Sequence, residues 1–254
     1  MKTIFTLIKK DFVESLRSYK FLILALVFLL FGFLNPITAK LTPELLPQLL
    51  PDNLPIEIQP ATSLDAWTQF FKNMSQVLLP LFLILFSGTL TNEFSKGRII
   101  PLLTKGLKRK DIVLSKFIHL LLQWTALFIV NIGVSWLYTL ILLPGGVDNI
   151  LISTFFLWAY GVFLISLLLF LSVLLMNGYG VLIGLGGVSL FLTLLTIIPI
   201  IKTFNPYRLG ADNLQLLTGG LCISDFYISL TLNTIMIIIF LLCSIKILNK
   251  KHSN

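Results

Sequence analysis

Charge is scarce in this chain. Only 12% of its 254 residues are Asp, Glu, Lys or Arg, against about 25% in an average soluble domain. Cysteine is scarcer, with Cys222 and Cys243 alone, too few for a disulfide framework or a cysteine metal site. If the two stand near opposite ends of one spanning helix, they are roughly 30 Å apart, beyond disulfide reach. Nucleotide and catalytic signatures are also missing. There is no G-x-x-x-x-G-K-[ST], no HExxH, no CxxC and no GxSxG, which excludes ATP binding by a P-loop and the commonest metalloprotease and hydrolase designs. Gly178, Gly180 and Gly184 do not make a dinucleotide fingerprint, and no strand precedes them. No Asp, Glu or Lys is expected at a bilayer midplane, and His119, near a membrane edge, is the one ionisable group expected inside a span. Proton- or ion-coupled transporters need such groups, so any work done here draws on an outside source of energy.

What is present is apolar. Hydrophobic residues make up 56% of the chain and mean hydropathy is +0.95, the composition of a polytopic all-α membrane protein. The net charge of +8 would suggest nucleic acid in a soluble protein. Here the basic residues cluster at the ends of apolar runs, which is the pattern of membrane topology, and nucleic acid is not an expected partner.

In chain order, residues 1–20 read as an amphipathic helix in the membrane interface. Ile4, Ile8, Phe12 and Leu16 form its apolar stripe, flanked by Phe5 and Tyr19, with Lys2, Lys9, Lys10, Glu14 and Arg17 on the other faces; a merely basic tail is the bland alternative. Six spans follow, over residues 21–39, 74–92, 111–143, 150–176, 181–201 and 226–245. Asn35-Pro36 is expected to kink or end the first. The segment 40–73 is the larger outer loop. Pro43, Pro47, Pro51 and Pro55, with leucines between them, predict extended or turn structure there. Thr62-Ser63-Leu64-Asp65 reads as a capping box leading into a face of Leu64, Trp67, Phe70, Phe71 and Met74, with Trp67 as an interfacial anchor. Pro80 marks either a kink beside a substrate path or a packing bend. His119, Gln123 and Asn131 form a polar stripe that faces either a water-filled cavity or hydrogen-bonding neighbours. Residues 149–201 hold no charge over fifty-three positions, suiting two spans broken at Asn177-Gly178-Tyr179-Gly180. Gly180 and Gly184 are expected in close helix packing. The half-apolar segment 202–225 is expected to dip into the membrane as short re-entrant helices.

Six spans place both termini on one side. With that side inside, fifteen of the nineteen Lys and Arg residues are cytoplasmic and only Lys40, Lys72, Lys202 and Arg208 lie outside, which fixes the orientation.

The loop 93–110, with the start of the third span to Lys116, is both basic and apolar. Around Lys96, Arg98, Lys105, Lys108, Arg109, Lys110 and Lys116 it carries Ile99, Ile100, Leu102 and Leu103, suited to a short helix that docks on a cytoplasmic partner. A purely topogenic loop is the plainer reading. The run Glu93-Phe94-Ser95-Lys96-Gly97-Arg98, then Pro101-Leu102-Leu103-Thr104, Lys108-Arg109-Lys110-Asp111 and Ser115-Lys116, resembles the coupling-helix region of ABC-2 type exporter permeases. The order of interfacial helix, six spans, large first outer loop and outer helices before span six is similar to that family along the whole chain. Among small members it resembles the permeases of low-GC Gram-positive bacteria that export amphipathic peptides, including the phenol-soluble modulin exporter.

The resemblance implies a separate ABC ATPase carrying ATP and Mg, no cofactor or catalytic residue in this chain, and a second permease subunit in a homo- or heterodimer. It also implies residence in the bacterial cytoplasmic membrane, among its lipids, with both termini cytoplasmic. Glu93, Ser95, Lys96, Gly97, Arg98, Ile99, Pro101, Leu102, Leu103, Lys105 and Arg109 would couple to the ATPase, with Gly106 allowing the turn back. Pro80, His119, Gln123 and Asn131 are the candidate cavity residues, and no metal site is expected. Twenty-one phenylalanines suit amphipathic or lipid-like cargo as well as a lipid-facing surface. A non-transporting membrane protein, such as an immunity or sensor partner or an intramembrane enzyme without a motif, is the alternative reading.

Overall fold

A computed structural model describes residues 2–49, 59–95 and 107–251, and the elements among them are helical throughout. Six helices are long and apolar enough to cross a membrane. The chain is an all-α integral membrane protein.

Helix α1 (Lys2–Arg17) turns at Tyr19, which takes a left-handed φ of 58°, into α2 (Lys20–Leu49). The next transverse rod is α3 (Ser63–Asn73), a π turn (Met74–Leu78), α4 (Leu79–Phe86) and α5 (Gly88–Ser95). Then come α6 (Arg109–Leu142), α7 (Ile150–Leu175) and α8 (Gly178–Leu195). Three short helices follow, α9 (Pro199–Phe204), α10 (Arg208–Ala211) and α11 (Asn213–Leu217), then a 3-10 turn (Ile223–Phe226) and α12 (Tyr227–Lys251).

The axis of the bundle is α7. It is apolar on every side, as a helix surrounded by others must be, and is buried along most of its length. Helix α2 packs along α6, α12 along α7, and α1 across the start of α6. The core is dense in aromatic rings around the fully buried Trp124. Phe82 and Phe28 meet its ring edge-on at 5.5 and 6.2 Å, and its Nε1 donates to the Trp158 carbonyl at 3.2 Å. Gly161 makes that fit possible, since a Cβ there would stand 2.4 Å from the indole.

Several expectations are corrected. The first span does not stop at Asn35-Pro36 or Ala39: α2 stays helical through Pro36, Pro43 and Pro47. A proline withholds the N–H owed to the carbonyl four residues back, and for Pro36 that is the Gly32 carbonyl. Ser135 Oγ donates to it instead, at 3.2 Å, the kind of substitution that makes proline tolerable in a membrane helix. Leu50, Pro51, Leu54 and Pro55, the rest of that repeat, lie outside the described residues. The capping box starts a helix at Ser63 as expected, and that helix runs on into the second span, so the span is not confined to 74–92 and little of 59–73 is loop. Asp65 caps it, accepting from the Thr62 N–H and hydroxyl, both at 2.8 Å. Trp67 is no interfacial anchor; it is 2% exposed and packed on Phe70 and Trp136.

The fifth span ends at Leu195 rather than Ile201. Pro199 opens α9 and forces Ile198 into an extended conformation, which closes the preceding helix. The expected short helices before the last span are there, but Arg208 is not a free surface cation. It is buried, with its Nε 3.2 Å from Asp212 and its guanidinium over the Phe226 ring. Of the glycines, Gly184 packs closely on Leu171, since a Cβ there would stand 3.1 Å from its side chain, whereas one at Gly187 would meet open space.

Candidate functional site

The two helices that enter and leave the segment 96–106 are α5 and α6, and their roots carry a buried ion cluster. On α6, Lys116, His119 and Gln123 recur at i, i+3 and i+7 and share a face. On α1, Asp11 and Ser15 are four apart and turn inward, while Phe5 and Phe12 are exposed. The face α1 offers the bundle is therefore polar at Asp11 and Ser15.

The Lys116 ammonium lies 2.8 Å from Asp11 Oδ1 and 2.8 Å from Glu93 Oε1. Lys10 approaches the same Glu93 oxygen at 3.2 Å from the surface. Beneath the cluster Gln123 Nε2 donates to Ser15 Oγ. Lys116, Asp11 and Glu93 are each about 5% exposed or less, so their attraction is weakly screened and their desolvation is costly. Burial pushes the Asp11 carboxyl above its ordinary range, against the opposing pull of Lys116. Asp11, Glu14 and Glu93 bring carboxylate oxygens within 4.8 Å of one another, and the ammonium of Lys116 is the cation that Asp11 and Glu93 hold. A polar cavity of about 230 Å³ adjoins, bounded by Asp11, Glu14, Asn92, Glu93, Lys116 and His119. His119 Nδ1 is buried there without a hydrogen-bond partner among the described residues, its ring edge-on to Phe86 at 6.4 Å. At the break between α4 and α5, Lys20 Nζ donates to the Leu85 carbonyl at 3.1 Å.

Of the residues expected to couple to a partner, Glu93 is in this cluster and Ser95 ends α5. Arg109 starts α6 and reaches the Asn249 carbonyl of α12 at 3.0 Å. Lys96, Gly97, Arg98, Ile99, Pro101, Leu102, Leu103 and Lys105 fall outside the described residues, as does Gly106. Lys116, which the charge count only placed on the cytoplasmic side, is buried. Asp11 and Ser15 were not expected at all. The spacing of Asp11 to Ser15, matched to that of Lys116, His119 and Gln123, is the trace they leave in the sequence.

The remaining expected cavity residues separate. Pro80 lines a larger cavity of about 660 Å³, between the α3–α4 rod and helices α7, α8 and α10. His119 faces the small one. Gln123 and Asn131 border neither; each is buried and donates through its amide nitrogen, Gln123 to Ser15 Oγ and Asn131 to the Phe28 carbonyl of α2.

Residues 5–205 match the family model described as ABC-2 family transporter protein. The chain belongs to that family. No curated protein and no solved structure gives a significant match. As an ABC-2 permease it is the membrane component of an ABC transporter, a family whose membrane subunits are not themselves ATPases and associate with an ABC ATPase subunit. The permease's six apolar helices make it a multi-pass membrane protein.

Proposed function

We propose that this permease is the transmembrane subunit of an ATP-driven exporter in a bacterial cytoplasmic membrane, both termini inside. It moves amphipathic peptides or other hydrophobic compounds outward. ATP and Mg are bound by the partner ATPase, and a second permease subunit, identical or related, completes the transporter. The reading draws its main support from the Lys116 cluster. One ammonium ties α5 and α6, the two stems of the segment 96–106, to each other and to α1.

Residues 95–104 form the coupling helix in this mechanism, with Ile99, Leu102 and Leu103 seated in a groove of the ATPase. Closure of the ATPases on ATP then displaces the segment, and α5 and α6 move together because Lys116 bonds across them. Asp11 carries α1 along. The small cavity behind the cluster gives the side chains room to shift without breaking their bonds.

Replacing Leu102 and Leu103 with Asp is expected to abolish co-purification of the ATPase while the permease still inserts. An unchanged complex with unchanged transport rejects the docking. For the orientation, Cys222 is exposed, so an impermeant thiol reagent applied to intact cells labels it and spares Cys243. The opposite pattern inverts the topology.

A further inference from the structure

The 660 Å³ cavity has one charged lining residue, Lys72, and no acidic one. Ser75 Oγ donates to the Lys72 carbonyl at 3.3 Å, but among the described residues the Lys72 ammonium makes no hydrogen bond or ion pair. Ser63 Oγ bonds the Pro144 and Gly145 carbonyls at the far end of α6, which levels Ser63 with the rim of the bundle. Nine residues on, Lys72 stands about 14 Å down the helix. Lys72 is exposed, so its ammonium stands at the open, polar end of the cavity, where it favours an anionic head.

The wall around it is graded. Thr68, Lys72, Ser75 and Gln76 all line the cavity at i, i+4, i+7 and i+8, giving it a polar end. Leu79, Leu83 and Ile84 continue the same wall and make the other end apolar. From Lys72 to Ile84 is roughly 18 Å of helix, the reach of a medium-length acyl chain. The π turn at Met74–Leu78 widens the backbone between the two ends, its exit marked by the Leu79 N–H donating five residues back to Met74; such turns recur at functional sites. A cavity of 660 Å³ falls within the ~300–1,000 Å³ of small-molecule pockets. A twenty-residue peptide helix needs roughly 3,000 Å³ at its usual diameter and length. The space fits a small amphiphile, not an amphipathic peptide.

We infer that this cavity is a binding site for a monoanionic, single-chain amphiphile, its carboxylate or phosphate head on Lys72 and its chain along Leu79, Leu83 and Ile84. The site goes beyond the export reading and does not need it, since occupancy requires neither ATP nor ATPase.

The test is equilibrium binding of radiolabelled laurate to the full chain in zwitterionic lipid nanodiscs, with binding to empty nanodiscs subtracted. Wild type is expected to bind saturably. Laurate and dodecyl phosphate displace the label and dodecyltrimethylammonium does not; the tighter anion identifies the head. Lys72→Arg retains binding, and Lys72→Gln weakens it about tenfold, the loss of one charge-assisted hydrogen bond. Lys72→Glu shifts preference toward the cationic amphiphile. Ile84→Trp, at a position 53% exposed and on the cavity wall, fills the tail end and abolishes binding with no change in melting temperature. The inference is overturned by equal affinity of wild type and Lys72→Gln, by equal competition from the cation, or by no saturable binding above empty nanodiscs.

Discussion

Replacing Lys116 with Met leaves Asp11 and Glu93 buried, with carboxylate oxygens within 4.8 Å and no ammonium between them. At an effective dielectric of about 20, two such charges repel by roughly 3.5 kcal/mol, a cost relieved only if one carboxyl takes up a proton. Removing one partner of a buried ion pair typically costs about 3–5 kcal/mol, so the two routes to the magnitude agree. In a chain of this size that corresponds to a melting temperature lower by on the order of 10 °C, read by tryptophan fluorescence in detergent micelles. The triple variant Asp11→Leu, Glu93→Met, Lys116→Met removes the stranded charges together with the lysine. It is expected to recover most of the loss, because an apolar replacement of a buried ion pair is often neutral or better. A purely structural cluster would then leave transport intact. If instead the cluster links α1, α5 and α6 mechanically, the triple variant is stable, binds its ATPase and hydrolyses ATP with little transport. A Lys116→Met protein melting within about 3 °C of wild type, about 1 kcal/mol, would refute the account of the cluster.

Three further outcomes follow from the packing and titration. Asp11 holds its proton to a higher pH in the folded chain than its ordinary value of 3.8. Its contribution to stability is therefore full below that value and is lost as pH rises through the raised pKa; Asp11→Asn should gain melting temperature relative to wild type across that window, and a constant difference would contradict it. Gly161→Ala places a Cβ against the Trp124 indole and should cost about 1–3 kcal/mol, while Gly187→Ala, in open space, should be neutral or stabilising by up to about 1 kcal/mol; thermal melts of the pair check the contrast. Asn35 donates to Ser135 Oγ at 3.1 Å and accepts from Asn73 at 2.8 Å, joining α2, α3 and α6, so Asn35→Leu should lower stability by about 1–2 kcal/mol, visible as a lower melting temperature at constant yield.

Composition and the spacing of apolar runs were enough to determine the all-helical membrane class, the number of spans and the breaks at Pro144 and Asn177. These follow from local facts: how many apolar residues cross a hydrocarbon layer, and where a turn residue interrupts them. The basic and apolar segment after Glu93 was likewise visible as the place where a partner would act. Proline was misleading where only local rules were applied. Pro36 ends a helix in isolation, yet in the bundle the hydroxyl of Ser135, about a hundred residues away in sequence, serves the carbonyl it strands.

Charge was the other property that sequence could count but not place. Lys116 and Arg208 each read as a cation at a membrane boundary, and folding buries both against carboxylates; Asp212 is the i,i+4 neighbour of Arg208, but no spacing rule pairs Lys116 with Asp11 or Glu93. Asp11 is an acid in a basic amphipathic helix, with no local reason to face inward. It does so because α1 lies across the start of α6 at the level of Lys116, and a buried ammonium with an acceptor on only one side is costly. Lys72 shows the converse. The sequence set it beside Thr68, Ser75 and Gln76 on one helical face, but only the approach of α7, α8 and α10 makes that face the wall of a cavity.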